Sequence, residues 1–368
     1  MNQEKLALLF ALQEQPVAPA ALLAKEVGVT PPTARTWLES LRKNKVYSSV
    51  QAVLRVRRIG LEMYDYLVRV EDYQSLKTIE SFCDAHPYTS YRSRVFGGET
   101  RGLLLQFRQP VDVEKHLTKA FYKMMKAGII SDIRELPTLQ TQYGSTHTKP
   151  RLDAWDPKNL TWKFDWEKWW NKAPVQKFDG FSETSLEEDQ IDLDYIDTQL
   201  LQELTMDARR KNVDIIRAIR LNPDKKGIQQ NVSSRLNRLK ENVIETYSVF
   251  INWNHFDIYN TPMIIANSDS EKTRQLINHL KSTRDFPFSS NIRETKDGFV
   301  WIARLPSAHL SELVALVWKQ AVSHELLIID YKHSERYGLW AETFDKVRNE
   351  WRTDKEFCLD DAIEKIGL

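Results

Sequence analysis

Between Asp207 and Lys240 the chain places ten basic residues, Arg209, Arg210, Lys211, Arg217, Arg220, Lys225, Lys226, Arg235, Arg238 and Lys240, against three acids, Asp207, Asp214 and Asp224. The chemistry open to such a stretch is phosphate binding, because its cations displace the counterions of a nucleic-acid backbone. Interleaved with them are Gln229, Gln230, Ser233 and Ser234. Glutamine and arginine carry paired hydrogen-bonding groups that distinguish base edges in a major groove. The reading gives Arg209, Arg210, Lys211, Lys225 and Lys226 to phosphates. Gln229, Gln230, Ser233, Ser234 and Arg238 go to bases, with Arg235 in the same interface. The plainer alternative is an ordinary solvated helical surface.

Helices must present these side chains. Val232, Leu236 and Leu239, spaced by four and then three, lie on one stripe of a helix over Asn231 to Ile244 and leave Ser233, Ser234, Asn237 and Arg238 facing outward. Ile196, Leu200, Leu201 and Leu204 mark an earlier helix, and Val213, Ile215, Ile216 and Ile219 another. Helices this short bury their stripes only against one another. The segments "LDYIDTQLLQEL", "NVDIIRAI" and "NVSSRLNRLKENVI" resemble the helix-turn-helix of the leucine-responsive regulator (Lrp/AsnC) family, the last matching its recognition helix and short exit strand. The intervening "LNPDKKGIQQ" is longer than that family's turn.

The unit occurs twice. In "TPPTARTWLESLRKNKV" Thr30 is a helix cap followed by prolines in the first turn. Thr33 to Val46 overlies Asn231 to Ile244 without a gap, at a constant difference of 198, so Ala34, Leu38 and Leu41 fall on Val232, Leu236 and Leu239. The first unit offers Thr33, Arg35, Thr36, Arg42 and Lys43 to DNA. Trp37 takes the place of Arg235 and is expected to fill the trihelical core. After each unit the pattern runs strand, helix, strand, strand, helix, strand, the ferredoxin-like order. The expected fold is therefore α+β, two repeats, each a three-helix (winged) helix-turn-helix followed by a βαββαβ ferredoxin-like domain. The segments are 1–52, 53–140, 141–190, 191–250, 251–334 and 335–368, the third being a tryptophan-rich arm with an acidic linker and the last an aromatic arm.

In the resembled family the sheet module pairs subunits and binds small effectors such as amino acids. The resemblance therefore implies an effector site near the glycine turns at Gly97, Gly98 and Gly298, which the residues alone read as hairpin turns. Five of the eleven tryptophans, Trp155, Trp162, Trp166, Trp169 and Trp170, crowd the first arm. They are expected to clamp a connector to apolar surface. Stacking on single-stranded bases, with Lys163, Lys168 and Lys172 between the rings, is the alternative. Leu339, Trp340, Phe344, Asp345 and Trp351 echo the pattern at the other end. Seven acids from Glu183 to Asp197 announce the second repeat.

Overall the chain is neutral, with 52 basic and 51 acidic residues, so any nucleic-acid argument is local. Cys83 and Cys358 give neither a disulfide framework nor metal spacing. No signal peptide or membrane span is visible. The eight histidines are scattered, with no HExxH, phosphate loop or dinucleotide fingerprint. The resulting expectation is a cytoplasmic, homodimeric regulator of transcription that binds double-stranded DNA, responds to a small-molecule effector, and uses no cofactor, metal or membrane. It is expected not to be an enzyme. Two alternatives stand beside it. One is a sensor or assembly protein that does not bind DNA. The other is a sirohaem decarboxylase, because those enzymes share the layout; it would need histidines and arginines such as His116 and Arg92 on a tetrapyrrole pocket.

Overall fold

Each head begins with helices whose ends are written in the sequence. The computed structural model describes residues 3–98, 100–137, 145–173, 189–259, 261–283 and 285–368. The first head is α1 (Gln3–Glu14), α2 (Ala20–Val27) and α3 (Pro31–Lys43). Gly28 closes α2 in the left-handed region at φ 73°. The Thr30 hydroxyl accepts from the Thr33 amide at the start of α3. Leu8, Leu9, Leu12, Leu23 and Ala34 are fully buried where the three helices meet. There follow β1 (Tyr47–Leu54), β2 (Glu62–Arg69), α4 (Tyr73–Ala85), β3 (Thr89–Gly97), β4 (Thr100–Gln109), α5 (Glu114–Lys126) and β5 (Asp132–Glu135). The first arm holds β6 (Ser145–Thr148), β7 (Trp155–Asp156), β8 (Thr161–Trp162) and α6 (Trp166–Trp170).

The second head is α7 (Tyr195–Asp207), α8 (Asn212–Ala218) and α9 (Ile228–Asn242). The helix α9 starts three residues before the expected Asn231, because Gly227 turns the chain at φ 84°. Next come β9 (Ile244–Ile251), β10 (Thr261–Asn267), α10 (Ser270–Ser282), β11 (Ser289–Thr295), β12 (Gly298–Arg304), α11 (Leu310–Gln320) and β13 (Ser323–Arg336). The closing arm is β14 (Phe344–Asp345), β15 (Glu350–Trp351) and α12 (Asp361–Lys365). The α+β class and the repeated order are as the sequence predicts. Of the acidic run, Glu183, Glu187 and Glu188 lie outside the described residues.

One nine-stranded sheet, in the order β5-β2-β4-β3-β13-β10-β12-β11-β6, joins both ferredoxin-like halves. The sequence predicts a final strand over Leu326 to Ile329. It is longer because its first part pairs with β10 and its second with β3 of the other repeat. Its counterpart in the first repeat is divided between β5, paired with β2, and β6, paired with β11 at the opposite edge. Each repeat thus lends its last strand to the other. The sheet rolls so that Leu67, Val95 and Leu104 share one core with Met263, Ile265, Val300 and Leu327. Across the roll, Arg293 of β11 pairs with Asp65 of β2.

The arms cross in the same sense. Trp162 donates to the Phe256 carbonyl at 2.8 Å and Trp166 to His309 Nδ1 at 3.1 Å. Their rings join the first head's leucines to Phe286, Phe288 and Trp301 of the second half. Leu339 and Phe344 complete the second head's core, while Leu359, Ala362 and Ile363 pack under α4 and α5 of the first half. Burying several aromatics at each crossing ties a head to the sheet half of the opposite repeat. Between the heads, β1 and β9 pair as an antiparallel ribbon.

Candidate nucleic-acid interface

The dry side of α9 is complete: Val232, Leu236 and Leu239 are buried. Its wet side exposes Gln229, Gln230, Ser234, Asn237 and Arg238, with Ser233 half-buried. Gln229 donates to the Pro223 carbonyl at 2.9 Å, and Asn212 donates to the Ser233 hydroxyl at 3.3 Å. Lys211, Lys225 and Lys226 are exposed, and none has a carboxylate within ion-pair distance among the described residues. Cations without a local partner are the ones free to meet a phosphate.

The arginines behave differently. Arg235 reaches Asp194 at 2.8 Å and Asp197 at 2.9 Å, and Arg238 reaches the other Asp197 oxygen. The Asp197 side chain is 2% exposed, and with Asp194 it also closes a capping box at the start of α7. Burial pushes the Asp194 carboxyl up, but the Asp197 amide and the Arg235 guanidinium outweigh it and hold it below its ordinary value. Arg235 and Arg238 therefore bolt the third helix to the first. They are not a free reading row.

Three more expected DNA contacts have partners inside the molecule. Arg209 donates to the Pro16 and Ala18 carbonyls at 2.8 Å each, between α1 and α2 of the other head. Arg210 pairs with Glu203, and Arg42 with Asp207 at 2.8 Å. The guanidinium of Arg209, expected at a phosphate, joins the two heads through these carbonyls of the α1–α2 turn. In the first head Arg35, Thr36 and Lys43 are exposed, while the Thr33 hydroxyl lies 2.8 Å from that of Thr30. Trp37 is half-buried against the apolar core.

The glycines have a different explanation. A Cβ on Gly97 would sit 2.4 Å from the Leu326 carbonyl oxygen, and one on Gly298 would sit 2.3 Å from that of Ala266. These positions need glycine because backbone approaches closely. Gly98, at φ 54°, makes the turn and has nothing near its Cβ direction. A cleft of about 390 Å³ does lie beside the second turn, lined by Thr295, Lys296 and Asp297 with Arg134, His324 and Glu325, but none of the three glycines lines it.

A second cleft, of about 420 Å³, is lined by Arg57, Tyr64, Asp65, Glu135 and Arg293 among others. Among the described residues Arg293 Nε and Nη2 are buried without a partner, and burial pushes this guanidinium down to about 10. The sequence reading missed Arg293 and Asp65. Only strand alternation in "SSNIRET", which puts Asn291 and Arg293 on one face, hints at them. The two residues named for a tetrapyrrole pocket each have other partners. Arg92 is taken up by Asp84, Glu80 and Tyr337, and His116 lies on α5 against the Thr353 backbone. Among the described residues no helix is long and apolar enough to cross a membrane.

No protein-family profile matches the chain, and no curated protein matches it in sequence. Among solved structures, the siroheme decarboxylase NirDL superposes with a TM-score of 0.53 at 12% identity, over 89% of this chain and 91% of that one. The same figures hold for NirDL in complex with an iron-uroporphyrin III analogue. An AsnC family transcriptional regulator from Agrobacterium tumefaciens is 22% identical over 42% of this chain and 98% of its own, with a TM-score of 0.33. The likeness to NirDL is one of fold, nearly end to end. It overturns the expectation that the chain is not an enzyme. An enzyme carries this layout, and the missing HExxH and phosphate-loop motifs exclude only the chemistries that need them.

Proposed function

We propose that the chain is a sequence-specific double-stranded DNA-binding regulator that carries two unlike reading heads in one polypeptide. The observation supporting this reading is the outward row of α9, Gln230, Ser234 and Asn237 with unpaired Lys211, Lys225 and Lys226 beside it, matched on α3 by Arg35, Thr36 and Lys43. Amides and hydroxyls read bases, and free cations hold phosphates. The β1–β9 ribbon and the Arg209 and Arg42 contacts fix the separation of the heads. A site of two dissimilar half-sites, about one helical turn or a multiple apart, is the geometric consequence. Selection of bound duplexes from a random pool tests it. A spaced bipartite motif is expected; no enrichment, with no salt-dependent binding in an anisotropy titration, defeats the reading.

A second reading is an enzyme of the siroheme-decarboxylase kind, favoured by the near-full-length likeness to NirDL. Mixing the purified chain with siroheme and following the product by mass spectrometry tests it. Loss of carbon dioxide from the tetrapyrrole supports the enzyme, and an unchanged tetrapyrrole removes it.

A further inference from the structure

Four basic groups are equivalent in pairs at the head-side end of the rolled sheet. Gly102 of β4 and Gly298 of β12 occupy matching places, each pressed on a carbonyl of the neighbouring strand. Six residues further along their strands stand Arg108 and Arg304, so these two arginines are counterparts. Strand β3 pairs Tyr91 with Arg336, and β11 pairs Asn291 with His147. Tyr91 lies opposite Gln106, and Asn291 opposite Ile302, which are counterparts at the same spacing. Arg336 and His147 are therefore the second pair.

These groups feel one another. Burial, and then the Arg336 charge, push Arg108 down to about 10. Arg336 is itself lowered by burial and then by Arg304. His147 is lowered by burial, with Glu245 opposing and Arg336 adding to the fall. Arg336 and His147 are exposed and Arg108 and Arg304 only half-buried, so all four are open to water. Among the described residues none of the three arginines has a carboxylate within ion-pair distance. Aromatic faces flank them: Arg304 lies 4.7 Å from the Tyr331 ring centre, and Arg336 lies 4.7 Å from that of Phe250 on β9 and 6.0 Å from that of Tyr91.

Holding like charges together is unfavourable, and an anion placed among them adds attractions that offset the repulsion. We propose that Arg108, Arg304, Arg336 and His147 form a binding site for a compact anion with two charged ends, carboxylate or phosphate, lying across the axis that relates the repeats. Arg108 and Arg304 take one end each, and Arg336 holds the middle. Guanidinium forks suit both groups because each offers paired oxygens. The proposal does not depend on DNA binding or on decarboxylation. It concerns residues on the sheet, away from α3 and α9.

Isothermal titration calorimetry of the full chain with succinate and, separately, inorganic pyrophosphate tests the site, with sodium chloride at matched ionic strength as the blank. Saturable binding of one or both is expected, the responding arm naming carboxylate or phosphate as the source. Arg304→Gln and Arg336→Gln should each weaken it about tenfold, the loss of one charge-assisted contact. Arg336→Lys, which keeps the charge and loses the fork, should weaken it less, and Lys123→Gln, an exposed change on α5, should leave it unchanged. Circular dichroism establishes that each variant is folded before it is titrated. Heats indistinguishable from the chloride blank with both anions, or binding that Arg336→Gln leaves intact, overturn the proposal.

Discussion

The two heads solve one mechanical problem in two ways. In the first, Trp37 lays α3 against the apolar core; in the second, the equivalent Arg235 ties α9 to Asp194 and Asp197 of α7. A packed ring needs no particular neighbour, whereas a guanidinium beside a buried carboxylate needs that one partner and suffers when it is lost. This position therefore orients the third helix in both heads and leaves the row beside it facing outward. The comparison also explains why the more basic head is not the freer one: part of its charge is spent internally.

Removing the bolt should have the largest effect. Asp197→Ala strands two arginines and opens the capping box, and should lower stability in urea denaturation by about 3 kcal/mol. A loss under about 1 kcal/mol would mean the ion pair is only a surface contact. Trp37→Ala should cost somewhat less, about 2 kcal/mol, because the ring is half-buried and leaves no charge behind. If it costs more than Asp197→Ala, the ranking of the two devices reverses.

Reading and anchoring separate in the salt dependence. The double change Lys225→Gln, Lys226→Gln should lower the slope of log affinity against log salt by roughly 2, without altering the selected motif. The matching change in the first head, Arg35→Gln with Lys43→Gln, should lower it by a similar amount if both heads engage. A slope unmoved by one pair and halved by the other would assign binding to a single head.

The smallest effect concerns acid. Because the Asp194 carboxyl lies below its ordinary value, its contribution to stability is full above the unfolded carboxylate range, near pH 4, and is lost as pH falls through the lower folded value. Asp194→Asn should flatten that acid limb, as read by thermal melts at successive pH values. No such limb is expected from the first head's Trp37.

Much of the fold was legible because its signals are local. Thr30 before Pro31 and Pro32, Gly28 after Val27, and apolar steps of three and four along α3 and α9 each act within a turn or two of chain. The constant difference of 198 exposed the duplication for the same reason. The candidate site was legible only in part. Lys211, Lys225 and Lys226 are as exposed as their charge suggests, but Arg209 and Arg42 meet partners more than a hundred residues away, and no spacing rule reports those. The reading against an enzyme failed on a different ground. Short catalytic motifs speak only for the chemistries that use them, and the fold is shared with a siroheme decarboxylase.

Taken alone, the amino-acid order determined which segments are helix or strand, that the set occurs twice, and which helical faces are dry, because these follow from periodicity within each segment. Tertiary structure decided that β13 and the split β5–β6 stretch cross between repeats, that each arm clasps the opposite half, and that Arg293 meets Asp65. It also decided that four basic groups gather at one end of the sheet. Those outcomes depend on which distant strands pair and how far the sheet rolls, and such long-range closure leaves no mark at helical or strand spacing.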